Sequence, residues 1–178
     1  MARRYRRSRT YTRRLKTVKY SNETRSMYFT YAFNMSNVKV PMITEVNTQG
    51  MRKCKNFTLN LGANAILHNN TKFDQQVNIF FALVYVPQGT EPSDIGFGYA
   101  TENQGQVTWT NVSLYEPNQN VILSGMITSG EPAKTFYSRL ARNLNSGDGI
   151  ALIVRSPINA GADYESTLNA TLNYAMSY

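Results

Sequence analysis

The chain is poor in the side chains that most often carry chemistry, with one cysteine and one histidine in 178 residues. With Cys54 alone, no intrachain disulfide and no cysteine-built metal site can form. Cys54 sits in an alternating segment and reads as a small core hydrophobe. His68 follows it by fourteen residues, and no third group is placed to orient the pair for nucleophilic catalysis. The phosphate loop G-x-x-x-x-G-K-S/T, the nucleophile elbow G-x-S-x-G and paired histidines are also missing. The stretch Asn145-Ser146-Gly147-Asp148-Gly149 lacks the alternating acids and closing glutamate of a calcium loop, so it reads as a turn. No catalytic residue, cofactor or metal is therefore expected.

Long apolar runs are missing too. None reaches the eighteen residues of a membrane helix, so no membrane insertion is expected. The start lacks the apolar stretch of a secretory signal. The six N-x-S/T sequences, at Asn22, Asn34, Asn56, Asn69, Asn111 and Asn169, then read as products of Asn/Thr-rich strands. Arginine-rich, acid-poor starts occur in mitochondrial transit peptides, but clustered arginine pairs present charge all round rather than on one helical face.

What the chain has is charge in one place. Residues 1–25 hold ten basic groups and one acid, Glu23, for a net +9, while residues 26–178 hold nine basic and ten acidic groups, for a net −1. This is a nearly neutral body with a cationic tail, which points to polyanion binding by the tail. Residues 1–24 have few large apolar side chains and no period, and read as a disordered arm; Lys16 to Ser26 reads as a hinge. Residues 25–178 form one domain.

In that body the period is two. Met27, Phe29, Tyr31, Phe33 and Met35 alternate with smaller or polar residues, as do Phe57, Leu59 and Leu61. Val77 to Val86 is apolar on both faces, which predicts a central strand buried between the core and a neighbouring subunit or loop. Further strands are expected over 107–114, 120–128, 135–142, 149–155 and 167–177, separated by Pro, Gly, Asn and Asp turn signals. Eight strands without a helical stripe predict an all-β antiparallel sandwich or barrel; eight is the jelly-roll number, and an immunoglobulin-like sandwich is the alternative. Residues 37–50 and 87–106 read as long connections. Twelve tyrosines and eight phenylalanines exceed what one small core uses and suit a subunit interface; Trp109 reads first as core and second as interface.

The candidate nucleic-acid-binding residues of the arm are Arg3, Arg4, Arg6, Arg7, Arg9, Arg13, Arg14, Lys16, Lys19 and Arg25, interleaved with Tyr5 and Tyr11. Arginine pairs with phosphates and stacks on bases, and tyrosine adds a stacking face. Nothing there forms a scaffold that reads base sequence. Basic runs of this length also serve as nuclear-import signals, a compatible second role. A smaller cluster, Arg52, Lys53 and Lys55, would continue the path of a bound strand, or guard an edge strand against aggregation.

Four segments resemble the capsid proteins of circular, Rep-encoding single-stranded DNA viruses, the circovirus-like group. They are RRYRRSRTYTRR at 3–14, FFALVYVPQG at 80–89, LYEPNQNVILSG at 114–125 and SRLARNLNSGDGIALIVRS at 138–156. The arm is shorter than in circoviruses proper. The resemblance implies an eight-stranded jelly roll, self-assembly into an icosahedral shell of about sixty copies, and an inward arm that contacts a circular single-stranded DNA genome. RNA is the alternative cargo of recombinant particles. Expected locations are the virion and, in a eukaryotic host, the nucleus, reached through the import machinery. A host-cell receptor is implied, but no residue identifies it. The competing reading is a soluble nucleic-acid-binding protein with a basic tail that forms no shell. Such modules usually carry charge on the fold itself, and this body does not.

Overall fold

Alternation of large apolar and polar side chains gives an all-β computed structural model, which describes residues 19–33, 37–44, 50–90, 101–103, 106–108, 120–156 and 163–177. Among these the strands are β1 (Tyr20–Ala32), β2 (Val38–Ile43), β3 (Arg52–Ala63), β4 (Ile66–His68), β5 (Thr71–Phe73) and β6 (Asn78–Val86). They continue with β7 (Thr101–Asn103), β8 (Gln106–Thr108), β9 (Asn120–Thr128), β10 (Lys134–Leu144), β11 (Gly149–Arg155) and β12 (Tyr164–Ser177). No helix occurs among the described residues.

All pairings are antiparallel, and the long ones are nested. β1 pairs β12, β2 pairs β11, β3 pairs β10 and β6 pairs β9. Additional pairings join β12 to β3 and β11 to β6. The first sheet thus runs β1–β12–β3–β10, with β4 and β5 extending it, and the second runs β2–β11–β6–β9; β7 and β8 pair with each other. Successive nested pairs fall in opposite sheets, as in one long hairpin rolled up on itself.

One face of each sheet supplies the core. Leu168, Ala170, Leu172, Tyr174 and Met176 of β12 and Phe57, Leu59 and Leu61 of β3 share a buried cluster with Ile79, Phe81 and Leu83 of β6 and Ile150, Leu152 and Val154 of β11. Alternation puts these side chains on one side of each strand, so burying them stabilises both sheets together. Gly125 of β9 admits an aromatic contact across this core. A Cβ there would lie 3.0 Å from the rings of Phe81 and Phe136, which meet edge to face at 4.6 Å. The Tyr31 hydroxyl, fully buried, accepts a 2.6 Å hydrogen bond from the Ser156 N–H, and burial raises its pKa.

Several expectations change. The arm does not extend to residue 24, nor a hinge to residue 26, because β1 begins at Tyr20 and is paired with β12 from its first residue. Its early residues are polar because both sides of the strand there are solvent-facing or partly so, and exposed strand needs no apolar alternation. Residues 37–50 are not a plain connection: β2 lies within them, and Pro41 hid it. Proline is tolerated because β2 is an edge strand. Among the described residues the small β4, β5, β7 and β8 bring the strands to twelve rather than eight. Of the expected strand at 107–114, only residues 107 and 108 are described, in β8; the remainder, with Trp109 and Met35, lies outside the described residues. The middle of the run at 77–86, Phe81 to Val84, is buried on both faces as expected, while Asn78 is exposed and Phe80, Tyr85 and Val86 are half-buried. Ala82 and Val84 leave the main core and form a second cluster with Ile153 on the opposite face of the sheet.

Candidate nucleic-acid interface

Burial and register divide each strand of the first sheet into an inner and an outer set. Cys54 is fully buried, and that burial pushes its thiol up to about 11; Lys53 and Lys55, on either side of it, point outward. Both then join rows that cross the sheet. Lys53 lies opposite Asn143, and its N–H donates to the Ser177 hydroxyl at 2.9 Å; Ser177 lies opposite Tyr20. Lys55 is flanked by Ala141 and Ala175, with Asn22 beyond. Its Nζ sits 3.7 Å over the Tyr20 ring, a cation–π contact between β3 and the first residue of β1.

The next rows are neutral and polar. One reads Thr24, Asn173, Thr58, Tyr137; the second Ser26, Thr171, Asn60, Thr135; the third Tyr28, Asn169, Gly62. The Thr24 hydroxyl donates to Asn173 Oδ1 at 2.7 Å, Ser26 and Thr171 share a 3.0 Å bond, and Asn60 Nδ2 donates to Thr135 at 3.4 Å. None of these five rows contains an acidic residue. The result is an outward face with two lysines at one end, hydroxyls and amides across its middle, and the exposed rings of Tyr28 and Tyr137.

The basic residues separate accordingly. Lys53 and Lys55 come together beside Tyr20, the first residue of β1. Arg52 is on the core side of β3, with an Nη1 contact of 3.8 Å to the buried Met176 sulfur. Arg25 is exposed on the inner side of β1, facing the Tyr174 hydroxyl, whose pKa burial raises and Arg25 partly draws back down. Lys19 is exposed next to β1. Arg3, Arg4, Arg6, Arg7, Arg9, Arg13, Arg14 and Lys16 lie outside the described residues. The edge-guard reading of the 52–55 cluster does not fit, since β3 is paired on both sides, by β12 and β10. Sequence alone does not single out Tyr20, Tyr28 and Tyr137. The polar alternation of Asn169, Thr171 and Asn173 is visible there, but nothing in it says which tyrosines share their face.

His68 and the turn at 145–149 lie away from this face in packing and turn contacts. His68 stacks on Tyr164 at 4.2 Å. Asp148 closes the turn at 145–149, where Gly147 takes a φ of +86°. Its buried carboxylate accepts from the Tyr85 hydroxyl at 2.6 Å and from the N–H groups of Asn145 and Gln88 at 2.8 and 2.9 Å. Burial alone would raise its pKa, but these donors outweigh that and hold it below the ordinary range. Tyr85 is pushed up to about 12, first by burial and then by its bond to the Asp148 charge. No group of three or more His, Cys, Asp or Glu side chains suited to a metal occurs among the described residues.

No protein-family model matches the chain, and no curated protein matches it in sequence. Among solved structures, the crystal structure of decameric BFDV capsid protein aligns with it at 8% identity and a TM-score of 0.21, over 90% of this chain and 99% of that one. At that score the likeness carries no argument about fold or function.

Proposed function

We propose that the chain is a viral coat subunit: a jelly-roll domain that assembles into a small icosahedral shell and packages circular single-stranded DNA through its basic N-terminal arm. The observation that carries this reading is the segregation of charge. Nine positive charges and no acid in residues 1–19 precede a body of net −1. They join it at Tyr20, on the row that includes Lys53. A single copy gains little from such a division. Many copies with their arms inside one shell concentrate enough positive charge to offset genome phosphates, which couples assembly to packaging.

The nested strand order supports the jelly roll. β1–β12–β3–β10 facing β2–β11–β6–β9 is the order that two interleaved Greek keys produce. The sequence segments that resemble circovirus-like capsid proteins support the viral setting, with the virion and a host nucleus as its locations. The test is electron microscopy of the purified full-length protein, with nuclease digestion of whatever nucleic acid it carries. Particles of uniform size that protect DNA are expected. Removing residues 2–19 should strip the nucleic acid while the body stays folded. Stable monomers at every salt and nucleic-acid concentration would overturn the reading in favour of a soluble binding protein.

A further inference from the structure

Charge explains only one end of the outer face of the first sheet. Tyr28 and Tyr137 are 69% and 75% exposed, and both stand on the acid-free rows. They lie on opposite sides of the sheet, Tyr28 on β1 and Tyr137 on β10, two rows apart. Three strand spacings across and four residues along put them roughly 20 Å from each other. A single strand several nucleotides long spans that distance. Between them the hydroxyl and amide side chains bond to one another across strands, which holds the rows in register.

We propose that this face is a single-strand-selective nucleic-acid surface, on which Tyr28 and Tyr137 stack bases while Lys53 and Lys55 hold phosphates. The proposal rests on the nucleic-acid part of the reading above, and not on shell formation. Stacking needs an unpaired base with an open ring face, which a duplex does not offer. The arm, by contrast, attracts any polyanion through charge. Single-strand preference therefore resides in the body, and bulk affinity in the arm. Sugar rings also lie well on a surface of tyrosine, asparagine and threonine, but two lysines without a neighbouring acid favour a phosphate chain.

The test uses the full-length protein and a single-stranded oligonucleotide carrying 5-iodouracil. It is crosslinked by light, mapped by peptide mass spectrometry, and competed with a duplex of the same sequence and with an oligosaccharide. Crosslinks at Tyr28 and Tyr137 are expected. Tyr28→Ala and Tyr137→Ala should each weaken single-strand binding at least about fivefold and leave duplex binding unchanged, and phenylalanine at either position should restore it. Lys53→Gln with Lys55→Gln should flatten the salt slope by about 1.4, two contacts at 0.7 each. Far-UV circular dichroism checks that these exposed substitutions leave the fold intact. Crosslinks confined to residues 1–19, with both alanine variants binding like the parent, would overturn the proposal, as would equal competition by the oligosaccharide. Particle formation is scored separately by electron microscopy. Shells without crosslinks refute this surface alone, and crosslinks without shells refute the coat subunit alone.

Discussion

The two sheets share a core but differ on their other faces. Outside β1–β12–β3–β10 stand mainly threonine, asparagine, serine, tyrosine and two lysines, with Glu165 two rows beyond Tyr28. Outside β2–β11–β6–β9 an apolar patch of Phe80, Ala82, Val84 and Val86 of β6, Ala151 and Ile153 of β11, and Val121 of β9 shares its rows with Lys39, Ser124 and Arg155. On that second face Ala82, Val84 and Ile153 are fully or almost fully buried. Strand alternation is the same in both sheets, so the backbone does not set the difference; the choice of outward side chains does. A sheet polar on one side works with that side in water or against a polyanion. Where a sheet is apolar on both sides, as at Ala82, Val84 and Ile153, it has to be covered on both.

The largest test of that contrast is a charge placed on each face. Val84→Asp buries a carboxylate in the second cluster, and should cost about 4 kcal/mol or more, enough to abolish folding in a marginal domain. Asn169→Asp puts the same charge on the exposed first face and should shift stability by no more than about 0.5 kcal/mol. Urea denaturation of both variants decides it. Equal midpoints would mean that the two faces are not different environments.

The next effect lies at the rim of the apolar face, where Val86, Pro87, Gly147 and Gly149 line a depression of about 500 Å³ beside the Asp148 turn. Asp148→Asn keeps the shape but removes the charge that three donors address, and should cost about 2 kcal/mol. The parent's pH dependence follows from the two shifts. Asp148 has a lowered pKa, so its contribution is present above the ordinary carboxylate value and is lost as pH falls through its lower folded value. Tyr85 has a raised one, so its contribution is full below the ordinary phenol value of 10.0 and is lost as pH climbs through about 12. Thermal melts across pH should show both losses in the parent and a weaker acid loss in Asp148→Asn. Identical acid profiles would show that the carboxylate does not hold the turn.

Much of the fold is legible in the sequence because period two is a local signal. Leu168, Ala170, Leu172, Tyr174 and Met176 declare the buried face of β12 by their spacing alone, and Val77–Val86 declares the two-sided burial of its middle, Phe81 to Val84. β2 is not legible, because Pro41 reads as a break unless the strand is known to be an edge. The candidate site is legible only as a set of basic residues. Whether Arg25 and Lys55 share a face depends on two long-range pairings, β1 with β12 and β12 with β3, and on the irregular register near Asn56, whose φ is +56°. Side-chain type alone groups Arg52 with Lys53 and Lys55, whereas strand alternation puts Arg52 on the core side. Charge density is readable, and facing is not.

The smallest test concerns the seam where arm and sheet meet. Tyr20 and Lys55 belong to strands separated by β12, so their 3.7 Å contact bridges a whole strand and ties the first residue of β1 to the sheet. Both groups are partly solvated, which limits the coupling to about 0.5 kcal/mol. A double-mutant cycle with Tyr20→Leu and Lys55→Gln isolates it, since leucine keeps apolar bulk while removing the ring quadrupole and glutamine removes the charge. Amide exchange at Ser21 and Asn22 gives a second readout, because a β1 freed of this contact should fray from its start before any global unfolding. If the coupling is present, the contact itself ties the start of β1 to β3, and the polar face has a built boundary at its two lysines. If the coupling is zero and Ser21 exchanges no faster in Tyr20→Leu, the ring and the charge are neighbours by register alone, and pairing with β12 by itself fixes where the arm begins.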